Sequence, residues 1–282
     1  MLARVRSCHH AFRLAVVVAA AVVAGGCETI GSDLSDLARG LSMPTPGEAA
    51  RMAVDPGDAD RRREGTLLLA NAPFGGDETY VRIYRDYAAN ERDPLVRSVA
   101  IRALARHGEP DDAMIIAEQL TAESLPVRWE AAKGLQRLHQ PDVVPALLRT
   151  IRQVDETPAV REACAIAAGQ YPQDRVFQAL VSALDARDLE VNVAAAWSMR
   201  MLTGQDHGLD PRPWLRWYND ADDPFAGGQE YLYPTYTRPE SWFEKLAFWS
   251  TPLREQPAPP VGLRSAAERT TYDDDPPGDG GE

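Results

Sequence analysis

Residues 93–108 read DPLVRSVAIRALARHG, and the string returns three times in altered form. The copies are SLPVRWEAAKGLQRLH (124–139), TPAVREACAIAAGQY (157–171) and DLEVNVAAAWSMRML (188–202). Aligned on their valine, Val96, Val127, Val160 and Val191 stand 31, 33 and 31 residues apart. Four positions on, the residue is small in every copy: Ala100, Ala131, Cys164 and Ala195. Seven and eight positions on come Ala103 and Leu104, Gly134 and Leu135, Ala167 and Ala168, and Ser198 and Met199. Offsets of 0, 4, 7 and 8 form one face of an α-helix, and small residues on that face let neighbouring helices approach closely.

The flanks agree with that assignment. Asp93, Ser124, Thr157 and Asp188 stand three residues before the valine, where side-chain oxygens can accept from the exposed amides of a helix start. Pro94, Pro126 and Pro158 follow where a missing N–H costs nothing. Gly108, Gly169 and Gly204 fall near the helix ends, as stops. A second helix precedes three of the copies, in DDAMIIAEQL (111–120), DVVPALLRTI (142–151) and DRVFQALVSAL (174–184). The unit is therefore a helical hairpin of about thirty residues. Such a hairpin cannot bury its apolar face alone, and stacking on the next one does so. The expected fold class is all-α, an α-solenoid.

In DPLVRSVAIRAL and LPVRWEAAKGL the spacing of Asp, Val-Arg, Ala and Ala-Leu resembles HEAT repeats of the phycobilisome-lyase-like type. The resemblance spans about residues 78–204, and a degenerate copy, DADRRREGTLLLANAPFGG (58–76), precedes it, so the solenoid is expected over 59–204. The motif is specific for fold and weak for function. It occurs in bilin lyases, scaffolds and adaptors, so lyase activity does not carry over with it. In such arrays the arginine column, here Arg97, Arg128 and Arg161, pairs with carboxylates or carbonyls of an adjoining turn; Asn192 replaces it in the last copy.

The first 27 residues have the pattern of a signal peptide: Arg4, Arg6 and Arg13 without an acid, an eleven-residue apolar run from Leu14 to Ala24, then Gly25, Gly26 and Cys27. The run is shorter than the roughly 20 residues a membrane span needs. VAGGC resembles the lipobox of bacterial lipoproteins, with Ala24 where leucine is commonest. The resemblance implies cleavage before Cys27, acylation of its thiol, and export to the periplasmic side of the envelope. An ordinary signal peptide would instead leave Cys27 as an incidental thiol. Glu28, rather than Asp, follows the lipid site and favours the outer membrane over the inner. Of the other cysteines, Cys8 lies in the signal and Cys164 on a core face, so no internal disulfide is expected and Cys164 reads as a small buried hydrophobe. Removing the three signal arginines takes the net charge from −12 to −15, which argues against nucleic acid as a partner.

Offsets 2, 6 and 9 from each valine fall opposite the buried face, on the expected concave side. They place Ser98, Arg102 and Ala105 there, then Trp129, Lys133 and Gln136, then Glu162, Ile166 and Gly169, and finally Val193, Trp197 and Arg200. From these, Trp129, Lys133, Ile166, Val193, Trp197 and Arg200 form the candidate partner-binding groove, because contiguous apolar surface on an array is usually covered. A protein partner is one cover. The chain's own aromatic C-terminal segment, 205–253, is the other and the favoured one, carrying WLRWYND and EYLYPTYTRPESWFEKLAFWS. Within it Asp210 and Pro211 start a short helix whose Trp214 and Trp217 could seal the last hairpin. Asp206, His207 and Asp210 are bunched in one turn without a companion cluster and are not expected to form a metal site. His107 and His139 suit helix C-terminal ends, and Asp111 and Asp112 are expected to cap. No catalytic constellation, cofactor site or metal site is expected. Residues 28–58 are expected to be a tether with one short helix at 33–41, and 254–282 an acidic disordered tail. The expected function is that of a membrane-anchored, non-enzymatic interaction scaffold. A lyase-like protein handling a chromophore or small ligand, and a purely structural envelope spacer, are the alternatives.

Overall fold

The repeated stripe buries as its period requires: all sixteen residues at offsets 0, 4, 7 and 8 are inaccessible, from Val96 to Met199. A computed structural model describes residues 44–235 and 257–264. The signal segment, Cys27, most of the tether, residues 236–256 and the tail from 265 lie outside the described residues. Apart from Pro46 and Gly47, the first two residues of the first helix, the helices belong to the unit that begins at Glu48.

Helices alternate between two rows. The first row holds α1 (Pro46–Ala53), α3 (Glu78–Asn90), α5 (Asp112–Glu118), α7 (Val144–Arg152) and α9 (Asp174–Ala183). The second holds α2 (Ala59–Asn71), α4 (Pro94–His107), α6 (Leu125–Gly134), α8 (Pro158–Ala168) and α10 (Leu189–Thr203). From α4 onward each second-row helix packs on its neighbours in that row and on its own hairpin partner, and α2 packs on α4. A final helix, α11 (Pro211–Asp220), packs on α9. There Trp214 is fully buried edge-on to Phe177, and Tyr218 stacks on Phe177 at 4.1 Å. Among the described residues no strand occurs, and no helix is long and apolar enough to cross a membrane.

The array begins earlier than expected. Helix α1 falls within the stretch assigned to the tether, 28–58, and packs on α2 with Ala49 and Ala53 buried. Gly65 makes that approach possible, because a Cβ there would lie 2.2 Å from the Ala53 nitrogen. The α1 segment carries none of the valine-based signature, so its only signal was a short amphipathic stripe.

Two rows of arginine bonds tie the hairpins. In the first, Arg97 donates to the Glu91 carbonyl (2.8 Å), Arg128 to the Ala122 and Glu123 carbonyls (2.9 and 2.8 Å), and Arg161 to the Ile151 carbonyl (3.1 Å). Asn192 takes over in the last copy, donating to the Ala183 and Leu184 carbonyls at 2.9 and 2.8 Å. These carbonyls end first-row helices, where intrahelical donors run out and positive charge is favoured. The second row joins each repeat to the next: Arg62 to Glu91, Arg85 to Asp112, Arg102 to Glu130, Arg128 to Glu156, and Arg161 to Asp188. The Glu156, Asp112 and Glu130 side chains are only 4%, 6% and 7% exposed, so these pairs matter more than solvated surface pairs do.

Several capping expectations are corrected. Asp93 accepts from the Leu95 and Val96 amides, but Ser124, Thr157 and Asp188 make no side-chain cap bond. After Ser124, Pro126 has removed one of the amides a cap would satisfy. Asp111 makes no side-chain cap bond either, and Asp112 binds the Arg85 guanidinium at 2.6 and 3.0 Å. Of the three glycine stops, Gly204 alone is left-handed, at φ 72°.

Candidate functional site

Each second-row helix turns one side away from the first row, and along three of them that side is apolar and open. Leu67 of α2, Leu95 of α4, and Leu125 and Trp129 of α6 line a groove of about 720 Å³ that continues to Thr157 and Ala159 at the start of α8. Leu95, Leu125 and Trp129 are 47%, 42% and 38% exposed, an unusual amount for large apolar groups so close together. Arg63 and Glu64 add exposed charges at the groove's α2 end, Arg63 paired with Asp60, and the polar groups from α4 and α6 are committed. Arg102 pairs with Glu130, and the Ser98 hydroxyl donates to the Pro94 carbonyl at 2.6 Å.

Of the six expected groove residues, the structure places only Trp129 here. Lys133 is half-buried one turn further along α6. Ile166 is partly buried against the core, and Val193 is exposed on α10, outside the groove. Arg200 pairs with Asp206 at 3.1 Å. Three of the four residues at offset 9 and one at offset 2 depart from the expected open face: Ala105, Gln136, Gly169 and Ser98 are buried. Ser98 bonds back within its own helix, and the other three meet the neighbouring helix of the same row. Gln136 donates to the Ala163 carbonyl at 3.0 Å, and a Cβ on Gly169 would lie 3.0 Å from the Ser198 hydroxyl. Sequence reasoning passed over Leu95 and Leu125 because they precede the aligned valine. Their signal was present nonetheless, as leucines beside the proline of a first helical turn.

The C-terminal chain covers a different part of the row. The Gln229 amide donates to the Met201 carbonyl at 2.7 Å, and Tyr231 is fully buried edge-on to Trp197 at 5.7 Å. Burial pushes the Tyr231 phenol well above its usual pKa. Further along, the Arg137 guanidinium lies 4.6 Å over the Tyr233 ring, and the Tyr233 amide donates to the Ala258 carbonyl. The chain thus lies on Trp197 and on the loop after α6, while the groove at Trp129 stays uncovered among the described residues.

Other candidate groups have local partners. Asp206 accepts from the Gly208 amide, which with Arg200 lowers its pKa; Asp210 accepts from the Arg212 amide and is lowered likewise. His207 packs edge-on to Trp214 at 4.9 Å. No group of three ligating side chains able to hold a metal occurs among the described residues. Cys164 is fully buried, and burial pushes its thiol up, away from the reactive thiolate. His107 reaches across to α2, with Nε2 2.7 Å from the Ala70 carbonyl, and His139 stacks on Tyr171 at 4.8 Å; neither sits as a simple helix-end cation. Beside Lys133, Glu162 is drawn two ways. Burial and the Glu190 carboxylate raise its pKa, against the pull of Lys133, and the net shift is upward.

Residues 85–154 and 113–200 match the family model of HEAT repeats. The chain carries HEAT repeats, and its class is the all-α solenoid. Human deoxyhypusine hydroxylase in complex with glycerol is similar in structure, 23% identical over 57% of this chain and 62% of that one, with a TM-score of 0.43. The Escherichia coli protein YibA is 20% identical over 62% and 64%, with a TM-score of 0.46. An engineered protein is 19% identical over 56% and 78%, at 0.43. The chain thus spans just under two thirds of the length of the first two. No curated protein matches the chain.

Proposed function

We propose that this protein is an envelope lipoprotein, anchored through Cys27, whose solenoid serves as a non-enzymatic scaffold for a protein partner bound in the groove at Trp129. The observation that carries the reading is the open apolar surface of Leu95, Leu125 and Trp129 in an otherwise well-packed array. A tryptophan rimmed by leucines is the kind of anchor that dominates protein interfaces. The tied floor residues, Arg102, Glu130 and Ser98, support a binding role over an acid–base one. HEAT repeats commonly mediate protein–protein contacts, which is compatible with this role. The VAGGC stretch supports the anchor, and Glu28 favours the outer membrane. A small-ligand role is the second reading, favoured by one observation: a volume of about 720 Å³ lies within the range of ligand clefts.

The test is a crosslinking pull-down from native membranes with the full chain and with Leu95→Asp and Trp129→Ala. Recovery of a protein that both substitutions abolish, with melting unchanged, is the expected outcome. Equal recovery by all three chains would sink the groove assignment, and no protein from any would favour the small ligand. Cys27→Ala should move the protein from the membrane to the soluble fraction. If it remains on the membrane, the anchor lies elsewhere.

A further inference from the structure

The loop after α6 offers its backbone as a strand edge, and residues 257–264 occupy it. The Val261 amide donates to the Arg137 carbonyl at 2.8 Å, and the His139 amide donates to the Val261 carbonyl at 2.9 Å. Leu138 and Val261 form a parallel bridge. Leu138 and His139 are buried, so these loop groups need partners that no helix supplies. Pro260 is buried in the contact, and the Leu263 amide closes a turn onto the Pro260 carbonyl at 3.1 Å. Gly262 has φ 88°, and a Cβ there would lie 2.6 Å from Pro110 Cγ and 3.1 Å from the His139 carbonyl oxygen. The docked segment therefore has a readable specification. It is extended, carries a proline one residue before the strand-pairing position, and must have glycine one residue after it.

We propose that the edge formed by Pro110 and Arg137–His139 is a peptide-docking site for extended Pro-Pro-Val-Gly-Leu segments, held in this chain by its own residues 257–264. Adding a strand through main-chain bonds while a pocket reads alternate side chains is an established way of binding peptides. The hold is modest: two main-chain bonds to the edge, a third from the Tyr233 amide to the Ala258 carbonyl, and one buried proline, with Val261 itself 49% exposed. The segment stays in place because it is tethered, and tethering supplies an effective concentration on the order of millimolar. A free segment of the same kind competes with that tethered copy. This edge shares no residue with the groove at Trp129.

The probe is a fluorescein-labelled peptide of sequence QPAPPVGLRS, residues 256–265, titrated against three full-length chains by anisotropy. They are the wild type, Gly262→Val, which expels the segment sterically, and Pro260→Gly/Val261→Gly, which removes the buried proline ring and loosens the segment while leaving the edge intact. Saturable binding to either variant, at least tenfold tighter than to the wild type, is expected. A peptide with alanine in place of the glycine should lose at least tenfold on the same chain. Binding to neither variant, equal binding to wild type and variants, or indifference to the glycine replacement would each overturn the proposal. Far-ultraviolet circular dichroism of the variants confirms that the array they present is folded.

Discussion

Gly204 ends the last repeat helix with a left-handed backbone, and a Cβ there would lie 2.2 Å from the Gly227 carbonyl oxygen. Both a side chain's aversion to that φ and the contact with the returning chain oppose substitution. Gly204→Ala should therefore cost about 2–4 kcal/mol in urea unfolding, the range for a strained position with a steric conflict. A loss within experimental error would mean that the return at Gly227 is not tightly seated. Glu162 provides the opposite case. Its folded pKa is raised, first by burial, so folding favours its protonated form. The cost of ionising it is absent below the unfolded carboxylate range, near pH 4, and grows as the pH rises through the higher folded value. Glu162→Gln should raise the melting temperature at pH 7 and leave it unchanged at pH 3. A lower melting temperature at pH 7 would show that Lys133 outweighs burial.

At the scale of elements, the decisive interaction is the tie between one hairpin and the next. Arg128 serves both kinds of bond at once, closing carbonyls after α5 and pairing with Glu156 at 2.7 and 3.0 Å. Removing it strands a carboxylate whose side chain is 4% exposed, so Arg128→Ala should destabilise by about 3 kcal/mol. Adding Glu156→Gln should recover part of that loss, because the stranded charge is then gone. Additive losses in the double-mutant cycle would dismiss the pair as a source of stability. The cap residues are less important than their spacing suggests. Of the four, only Asp93 bonds to amides of its helix start; Pro126 and Pro158 each remove one such amide, and Asp188 pairs with Arg161 instead. Composition marks the position of a helix start, but which side chain satisfies it is settled by the turn that arrives from the preceding helix.

Over the whole molecule, two tryptophans, one at offset 2 of the second copy and one at offset 6 of the last, meet different surroundings. Trp197 lies under Tyr231, while Trp129 faces the open groove. Trp197→Ala should cost about 2 kcal/mol in thermal unfolding, and Trp129→Ala should stay within about 0.5 kcal/mol of the wild type. Equal losses would place both under cover and remove the case for an open groove.

The sequence by itself determined that the described chain is a stack of helical hairpins. A valine stripe at 31- to 33-residue intervals has one physical solution, since each hairpin's apolar face needs the next hairpin to bury it. It also determined the arginine column and the inert setting of Cys164, because both follow from position within one repeat. Only the tertiary structure decided which outer positions stay open. Helices of the same row cover Ala105, Gln136 and Gly169, and the returning chain covers Trp197. Periodicity within a helix defines the face turned to its hairpin partner. Exposure of the remaining faces depends on neighbours about thirty residues away and on a terminal segment outside the repeat, and no local spacing encodes either.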